Sequence, residues 1–281
     1  MSIKEPFAGL FTQGMVTHET YQSADGRWLS PVEITIGDGG AVIEAASGAR
    51  VTRGRTEKMS KSKKNTVDPE PFLDLYGADA VRWFMLSDSP PERDLEWSIG
   101  GIEGAARFVQ RVWRLAMAPA GLSEDDDALT RKLHRAIFAV GEAIEALQFN
   151  KAVAALYELV SALEKAEPSG TRDRAIGTLL RLAAPMAPHL AEEAWAARGH
   201  GAMIADATWP TYDPALLIDE TVTLAIQVNG KLRDTITVAR GLPKDQVEAL
   251  ALELPKVQAQ LAGAAPRKVI VVPDRLVNIV V

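Results

Sequence analysis

The strongest constraint on the fold is a helical period that runs from residue 98 to about residue 199. Apolar residues recur there at spacings of three and four, which places them on one face of an α-helix. The pattern stops and restarts, so it predicts four or five amphipathic helices with short connections, which is a helical bundle. The predicted faces are Ile102, Ala105, Val109, Val112 and Ala116; Leu129, Leu133, Ile137, Val140, Ile144 and Leu147; Phe149, Val153, Leu156, Val160 and Leu163; and Ile176, Leu179, Leu180 and Ala183.

Local signals set the ends of these helices. Asn150 is placed to cap the third helix, and Pro185 stops the fourth. A last short helix is expected from Pro188 to Ala197, ended by Gly199. The bundle makes the chain mainly α, and its length of 281 residues favours more than one domain.

The segment before the bundle has a different pattern. Residues 1–57 combine glycine-rich turns with alternation of Val32, Ile34 and Ile36, which predicts a short hairpin, but they contain too few apolar residues to close a core alone. Further along, Asp68 is expected to cap a short helix with Pro69 at its first position and Gly77 at its end. A second helix is expected from Asp79 to about residue 87.

The segment after the bundle returns to strands. Residues 222–228 alternate strictly, and Asn229-Gly230 predicts a type I′ turn into a second strand. Pro243 opens a helical stretch through residue 254, and residues 269–272 and 276–281 are predicted as two further strands, which makes a small α/β domain. The expected domains are therefore residues 1–66, 67–97, 98–215 and 216–281.

Composition excludes several kinds of site. The chain has no cysteine, which excludes disulfides, thiol catalysis and thiolate zinc ligands. No apolar stretch has the length of a membrane span, and the first residues lack the apolar core of a signal peptide, so we expect a cytoplasmic protein without a membrane partner. The net charge of −6 means that phosphate binding must come from a local patch.

One such patch lies between residues 50 and 64. It contains seven basic residues and a single acid, Glu57: Arg50, Arg53, Arg55, Lys58, Lys61, Lys63 and Lys64. By charge alone it would be a solvated lysine-rich loop. The order Lys58-Met59-Ser60-Lys61-Ser62, followed by an Asp-Pro helix start, resembles the signature loop of the class I aminoacyl-tRNA synthetases.

Similarity to the bacterial leucyl-tRNA synthetases of that class extends over essentially the whole chain. It is carried in order by the motifs at residues 10–16, 28–31, 76–82, 95–97, 104–108, 187–193, 228–233 and 272–278, which include LFTQGMV, YGADAVR, APHLAEE, VNGKLR and VPDRLVN. The resemblance implies the C-terminal portion of such an enzyme. Its parts would be the end of a nucleotide-binding α/β catalytic domain, a connector that contacts the tRNA stem, an anticodon-binding-type bundle and a small tRNA-contacting α/β domain.

The resemblance also implies a reaction and its residues. The parent enzyme would activate leucine with ATP, with Mg²⁺ expected, and transfer it to tRNA(Leu). Lys61, with Lys58 as a second charge, would stabilise negative charge on the phosphates, and Met59, Ser60 and Ser62 would complete the ATP-binding loop. The family's His-x-Gly-His element does not occur among the four histidines, so we expect this chain to depend on a missing N-terminal catalytic half and to be inactive alone.

Two groups of basic residues are candidates for contact with tRNA. Arg107, Arg111 and Arg114 lie along one face of a predicted helix. Two interpretations of this face are equally open: contact with the tRNA backbone, or an ordinary solvated surface. In the tail, Lys231 and Arg233 are expected to project to the same side of their strand, and Arg267 and Lys268 would do so only if a bend intervenes. The resemblance implies that this tail meets the outer corner of the tRNA through phosphate and shape.

Three alternatives remain open from sequence: a non-catalytic tRNA-binding subunit of a split synthetase, a valyl or isoleucyl relative, and an unrelated lysine-loop RNA binder. Other conspicuous residues receive ordinary interpretations. His189 is expected at the rim of the core, His18 in a surface hydrogen bond, and Asp125 to Asp127 at a helix entrance rather than a metal site. Four tryptophans are expected in the core: Trp83, Trp97, Trp113 and Trp195.

Overall fold

The computed structural model describes residue 7 and residues 9–121, 126–218 and 221–281. The chain divides into two compact units, Met1–Tyr212 and Asp213–Val281. Asp125, one of the three consecutive acids, lies outside the described residues. In the described part of the chain, no helix is long and apolar enough to cross a membrane.

The first unit opens with a small, mostly antiparallel sheet. Strand β1 (Val16–Gln22) lies between β2 (Trp28–Leu29) and β5 (Thr52–Lys58), and the short β6 (Leu95–Glu96) pairs with β1 in parallel. The predicted hairpin is confirmed as β3 (Ile34–Ile36) and β4 (Val42–Glu44), which pair antiparallel. Among the described residues, the buried hydrophobic core here is small, as the scarcity of apolar residues predicted, and consists of Tyr21, Leu29, Val42 and Val51.

Two helices connect this sheet to the bundle. Helix α1 (Glu70–Tyr76) begins one residue later than predicted, because Pro69 occupies the N-cap position and the Asp68 carboxylate instead accepts a hydrogen bond from the Glu70 N–H at 3.0 Å. Gly77 ends α1 with a φ of +83°, a left-handed conformation that favours glycine. Helix α2 (Ala78–Ser87) starts at once, close to the predicted position.

In the part of the bundle that the structure describes there are five further helices, the upper number predicted. They are α3 (Ile99–Ala116), α4 (Asp127–Glu145), α5 (Phe149–Lys165), α6 (Gly170–Ala183) and α7 (Pro188–Ala197). Side-chain caps begin three of them: Ser98 accepts from Gly101 N–H, Asp126 from Leu129 N–H and Ser169 from Arg172 N–H. The acidic run is therefore a helix entrance at Asp126, as predicted. Asn150 does not cap α5, since the helix starts at Phe149 and places Asn150 inside its first turn.

The bundle core is continuous with α2. Trp83 has no exposed surface and stacks on Phe108 with ring centroids 4.5 Å apart, and Tyr157 of α5 packs against both rings. Trp97 and Trp195 are half-buried. Trp113, which was also expected in the core, is 36% exposed because it lies at the edge of the buried face of α3.

A buried carboxylate joins α2 to α7. Asp79 is 6% exposed, and its side chain accepts a hydrogen bond from the Leu190 N–H at 2.6 Å. Its other oxygen lies 2.9 Å from Nδ1 of His189, whose side chain is 75% exposed. The contact satisfies an N–H in the first turn of α7, which has no partner within the helix. His189 is thus at the rim of the core, as expected.

The second unit has a four-stranded sheet in the order β8-β7-β10-β9. Its strands are β7 (Thr221–Val228), β8 (Lys231–Ala239), β9 (Lys268–Val272) and β10 (Leu276–Val280), with β10 parallel to β7. Asn229 and Gly230 both have positive φ, +50° and +76°, as the predicted type I′ turn requires. The predicted helical stretch from Pro243 through residue 254 is confirmed as α8 (Lys244–Glu253), and a further short helix that was not predicted, α9 (Pro255–Leu261), follows the extended Leu254.

Candidate functional site

The lysine-rich segment forms a closed loop between the end of β5 and Asn65. Strand β5 pairs antiparallel with β1 through Lys58, and the Met59 N–H donates to the Val16 carbonyl at 3.2 Å. The Lys64 N–H returns to the Lys61 carbonyl at 3.2 Å, and Lys64 has a φ of +53°, in the left-handed region. The sheet therefore fixes one end of the loop, and a tight turn brings the other end back beside it.

Asn65 connects the two ends of this loop and is the main site residue that sequence reasoning missed. It has no exposed surface. Its side-chain oxygen accepts a hydrogen bond from the Ser60 N–H at 2.8 Å, and its amide nitrogen lies 3.2 to 3.3 Å from the carbonyls of His18, Glu57 and Lys58. The available signal was its position directly after the lysines, since asparagine readily bonds to nearby backbone.

The four lysines of the loop differ in their partners. Lys63 forms an ion pair with Glu57, and Lys64 lies 3.4 Å from an oxygen of Glu33. Lys58 and Lys61 are exposed and make no hydrogen bond or ion pair through their side chains with any described residue. Two cations are therefore at least partly neutralised within the chain, and two are available to an external anion.

The Glu33 carboxylate is itself held by the short helical turn at residues 31–33. Its pKa lies below the ordinary value, mainly because the Ser30 N–H donates to it at 2.8 Å, with the Ser30 hydroxyl second and the charge of Lys64 a smaller cause. Because Glu33 is anchored by its own turn, the side chain of Lys64 is drawn toward the segment that precedes the β3–β4 hairpin.

The remaining predicted loop residues lie close to one another. Met59 and Ser60 are half-buried, whereas Ser62 is exposed. The two serine hydroxyl oxygens are 3.4 Å apart, and the Ser60 hydroxyl accepts from the Lys63 N–H at 3.4 Å. The five residues 58–62 thus form one continuous surface turn, with a small serine side chain on either side of Lys61.

An open cavity of about 670 Å³ adjoins the loop on the side that follows Asn65. Its lining combines His18 of β1, the turn residue Val32, which is 87% exposed, and the aromatic rings of Phe72 and Trp97. The lining includes Ser30, Thr66, Asp68, Phe72 and Trp97. Its size is within the range of small-molecule sites, although much of its apolar lining is open to solvent.

His18 itself forms an ordinary surface contact, as expected. Its Nδ1 lies 3.0 Å from the backbone carbonyl of Glu19. The Glu19 carboxylate instead accepts from the Tyr21 hydroxyl and from Arg53, at 2.9 and 2.8 Å. Burial and this neighbouring carboxylate raise the pKa of Tyr21 to about 12. Among the described residues, no group of three or more histidine and acidic side chains is arranged to hold a metal ion.

The three arginines of α3 differ in the same way as the lysines. Arg111 binds both oxygens of Glu164 on α5, at 2.9 and 2.6 Å, and also reaches the Ser161 hydroxyl. This contact raises the pKa of Arg111 and lowers that of Glu164. Arg107 is exposed and lies 4.0 Å from Glu103, while Arg114 is exposed. Arg111 therefore ties α3 to α5 and leaves Arg107 and Arg114 as the accessible members.

The four basic residues proposed for the tail lie at one end of its sheet. The strand pairing shows this from one edge of the sheet to the other. Lys231 on β8 is opposite Val228 on β7, and Val228 is opposite Ile279 on β10. The residue after Ile279 is in turn opposite Lys268 on β9. We call Lys231, Arg233, Arg267 and Lys268 the basic sheet end. All four are exposed, and within the described chain none forms an ion pair.

One detail of the basic sheet end differs from the expectation. The pairing of β7 with β8 shifts register between Ile226 and Gln227, so Arg233 has no partner across the strands. The extra residue interrupts the regular alternation of β8 at Arg233, so alternation does not place the side chains of Lys231 and Arg233 on one face, contrary to the expectation. Their common position at the end of the sheet comes from the register of the strands instead.

Comparisons with known proteins match this chain in two segments and over its full length. Residues 126–249 match the anticodon-binding domain of tRNA ligase, and residues 47–98 match the class I tRNA synthetases for I, L, M and V. Leucine–tRNA ligase of Rhizorhabdus wittichii is 62% identical over 281 residues, which is 100% of this chain and 33% of the relative. Leucine–tRNA ligase of Zymomonas mobilis is 59% identical, again over 100% of this chain and 33% of the relative.

A solved structure is similar over the same span. It is the crystal structure of a ternary complex of LeuRS, tRNA and LeuAMS from Agrobacterium radiobacter K84, with a TM-score of 0.67 and 29% identity. The similarity covers 99% of this chain and 33% of the solved chain. The chain thus spans about a third of the length of the relatives that it matches.

Proposed function

The chain is homologous over its full length to one third of leucine–tRNA ligase, an aminoacyl-tRNA synthetase, and from this premise we propose that it supplies such an enzyme with its lysine loop and tRNA-binding domains. The observation that carries the proposal is that the four lysines of the loop differ in whether an acid of the same chain neutralises their charge. Lys58 and Lys61 extend unpaired from a turn whose ends are fixed, whereas Lys63 and Lys64 face acids of the same chain.

The proposed reaction is the activation of leucine. A carboxylate oxygen of leucine attacks the α-phosphorus of ATP, a new P–O bond forms the adenylate, and the bond to pyrophosphate breaks. Negative charge grows on the α-phosphoryl oxygens and on the leaving group. Lys61, with Lys58 as the second charge, stabilises that charge more than it stabilises bound ATP, which lowers the barrier. Mg²⁺ is proposed to enter with the phosphates, which are its usual ligands together with one or two carboxylates.

Lysine suits this task because its ammonium group is a compact charge on a flexible stem. Small residues on either side, Ser60 and Ser62, let the backbone approach the phosphates. Met59 is half-buried beside them, which supports the proposal that it anchors the turn. The ATP-binding surface of this chain is therefore proposed as residues 58–62, completed by catalytic residues in the part of the longer relatives that this sequence does not span.

The tRNA partner is proposed to bind two surfaces. The basic sheet end presents four unpaired cations, which would contact phosphates rather than read bases. Arg107 and Arg114 on α3 form the second candidate surface, and Arg111 contributes there only by holding α3 against α5. We propose tRNA(Leu) as this partner because the relatives are leucine–tRNA ligases, and one neighbour was solved in complex with tRNA.

A non-catalytic subunit and a valyl or isoleucyl relative are both less well supported. The curated relatives carry the matching segment as a third of one leucine–tRNA ligase chain. Identities of 58 to 62% with four such enzymes favour the leucyl branch over its sisters.

The test is Lys61→Ala in the complete enzyme, with Lys63→Ala as a variant that removes the same charge from the same loop. Loss of one donor to a developing charge costs about 10² to 10³ in rate, so leucine-dependent ATP–pyrophosphate exchange should fall by roughly that factor for Lys61→Ala. Lys63→Ala should slow exchange far less, because its charge is already matched by Glu57. Unchanged exchange in Lys61→Ala, with leucine binding retained, would refute the assignment.

A further inference from the structure

Asn65 uses its whole side chain to fix the lysine loop. The amide can donate two N–H groups and accept at its oxygen. In the structure the nitrogen faces three carbonyls, those of His18, Glu57 and Lys58, while the oxygen faces the Ser60 N–H at 2.8 Å. Rotating the amide by half a turn would set its oxygen against those carbonyls, so the surroundings determine its orientation.

The hydrogen bonds of Asn65 lie on both sides of the unpaired Lys58 and extend to Ser60, the residue before the unpaired Lys61. The carbonyl of Lys58 and the N–H of Ser60 are both tied to Asn65, so the backbone between them is held from inside the protein. The His18 carbonyl belongs to β1, which ties the same side chain to the neighbouring strand. Lys61 follows Ser60 directly, so the start of the turn that carries it is fixed to the sheet.

Few other residues could replace this asparagine. Aspartate has the same shape but no N–H donor, and its charge would face three carbonyl oxygens. Leucine would fill the space and leave the Ser60 N–H without its partner in a buried position, and serine is too short to span the same contacts. Alanine would remove the contacts without adding charge.

We propose that Asn65 is a positioning residue for the activation reaction, acting through Lys58 and Lys61 without touching substrate. The proposal rests on the proposed function of the lysine loop and goes one step beyond it. Asn65 holds the loop in the shape in which the two unpaired ammonium groups meet the phosphates. A displacement of about 1 Å at a reacting group costs on the order of 10² in rate, so loss of this support should reduce turnover more than binding.

The experiment compares Asn65→Asp and Asn65→Ala with Lys61→Ala in the complete enzyme, and uses Asn150→Asp as the matched control. Asn150 is the half-buried asparagine of α5, outside the loop. Adenylate formation should fall by about 10- to 100-fold in both Asn65 variants, while the KM for leucine and the affinity for tRNA stay within about twofold of wild type. Asn150→Asp should leave adenylate formation unchanged.

A double variant separates positioning from a general structural defect. If Asn65 acts through Lys61, then Asn65→Ala should cost much less in the Lys61→Ala background than in wild type, because coupled residues are not additive. Losses that multiply independently would overturn the proposal, as would wild-type adenylate formation in folded Asn65→Ala. If Asn65→Asp fails to fold, Asn65→Ala carries the test. A Lys61→Ala enzyme with normal activity would instead refute the proposed function of the loop.

Discussion

Salt dependence of tRNA binding provides a quantitative test of the basic sheet end. Each phosphate contact releases counterions, and with the slope of a DNA double helix the logarithm of the binding constant falls by about 0.9 per contact for each tenfold rise in salt. If each of the four exposed, unpaired cations contacts one phosphate, they contribute about 3.6 to that slope. Binding through them falls about 150-fold between 50 and 200 mM salt. In the double variant Lys231→Ala, Lys268→Ala, this contribution should halve to about 1.8, a fall of about 12-fold.

The assay is filter binding of tRNA to this chain over that salt range, and the control removes the same charge elsewhere in the same unit. Lys244 begins α8, which follows the opposite end of β8, and Arg240 at that same end is paired with Asp274 at 3.9 Å. Lys244→Ala, Arg240→Ala should keep the wild-type slope even though the net charge falls equally. Equal slopes for the test and control variants would mean that net charge, not the basic sheet end, governs binding. A wild-type chain that binds an unrelated duplex of equal length as tightly as tRNA would also contradict the role of the tail.

Two further predictions concern the first unit. Trp83→Ala removes a fully buried ring that stacks on Phe108, and should lower the free energy of unfolding by about 3 to 5 kcal/mol in urea titrations, whereas Trp113→Ala, at a 36% exposed position, should cost much less. Tyr21 has a pKa of about 12, above its ordinary value of 10.0, so its contribution to stability should be complete below pH 10 and be lost as pH rises toward 12. A phenolate absorbance titration of wild type minus Tyr21→Phe should show this late ionisation, and a difference midpoint near 10 would contradict the burial argument.

The helices and the tail hairpin were predictable because their signals are local. Apolar spacing of three and four requires only neighbouring residues, and it placed the bundle helices within a few residues of their observed ends. The Asn229-Gly230 turn was equally predictable, since both residues must accept positive φ and few other pairs do so readily. The same local reasoning failed at Asn150, where a shift of one residue in the helix start turns a cap into a first-turn residue.

Contacts between distant segments were not predictable from these patterns. Arg111 and Glu164 are 53 residues apart, and the helical period of α3 gives no indication of which acid on another helix will meet which arginine. Asp79 and Leu190 are 111 residues apart, and their contact follows only once α2 and α7 pack together. Such pairs decide which cations stay accessible, so the sequence supplied candidates for RNA contact without distinguishing the accessible members.

The lysine loop combines both cases. Counted along the sequence, residues 50–64 are a uniform basic run with Glu57 as its one acid. In three dimensions Glu19 pairs with Arg53, Glu57 with Lys63 and Glu33 with Lys64, and two of these acids lie outside the run. Within the loop itself the unpaired lysines are then Lys58 and Lys61, the two that family resemblance had singled out for the phosphates. Resemblance used only the order of residues, and pairing used only geometry. Both point to the same two lysines, and the prediction that these contact the phosphates is the one that Lys61→Ala tests.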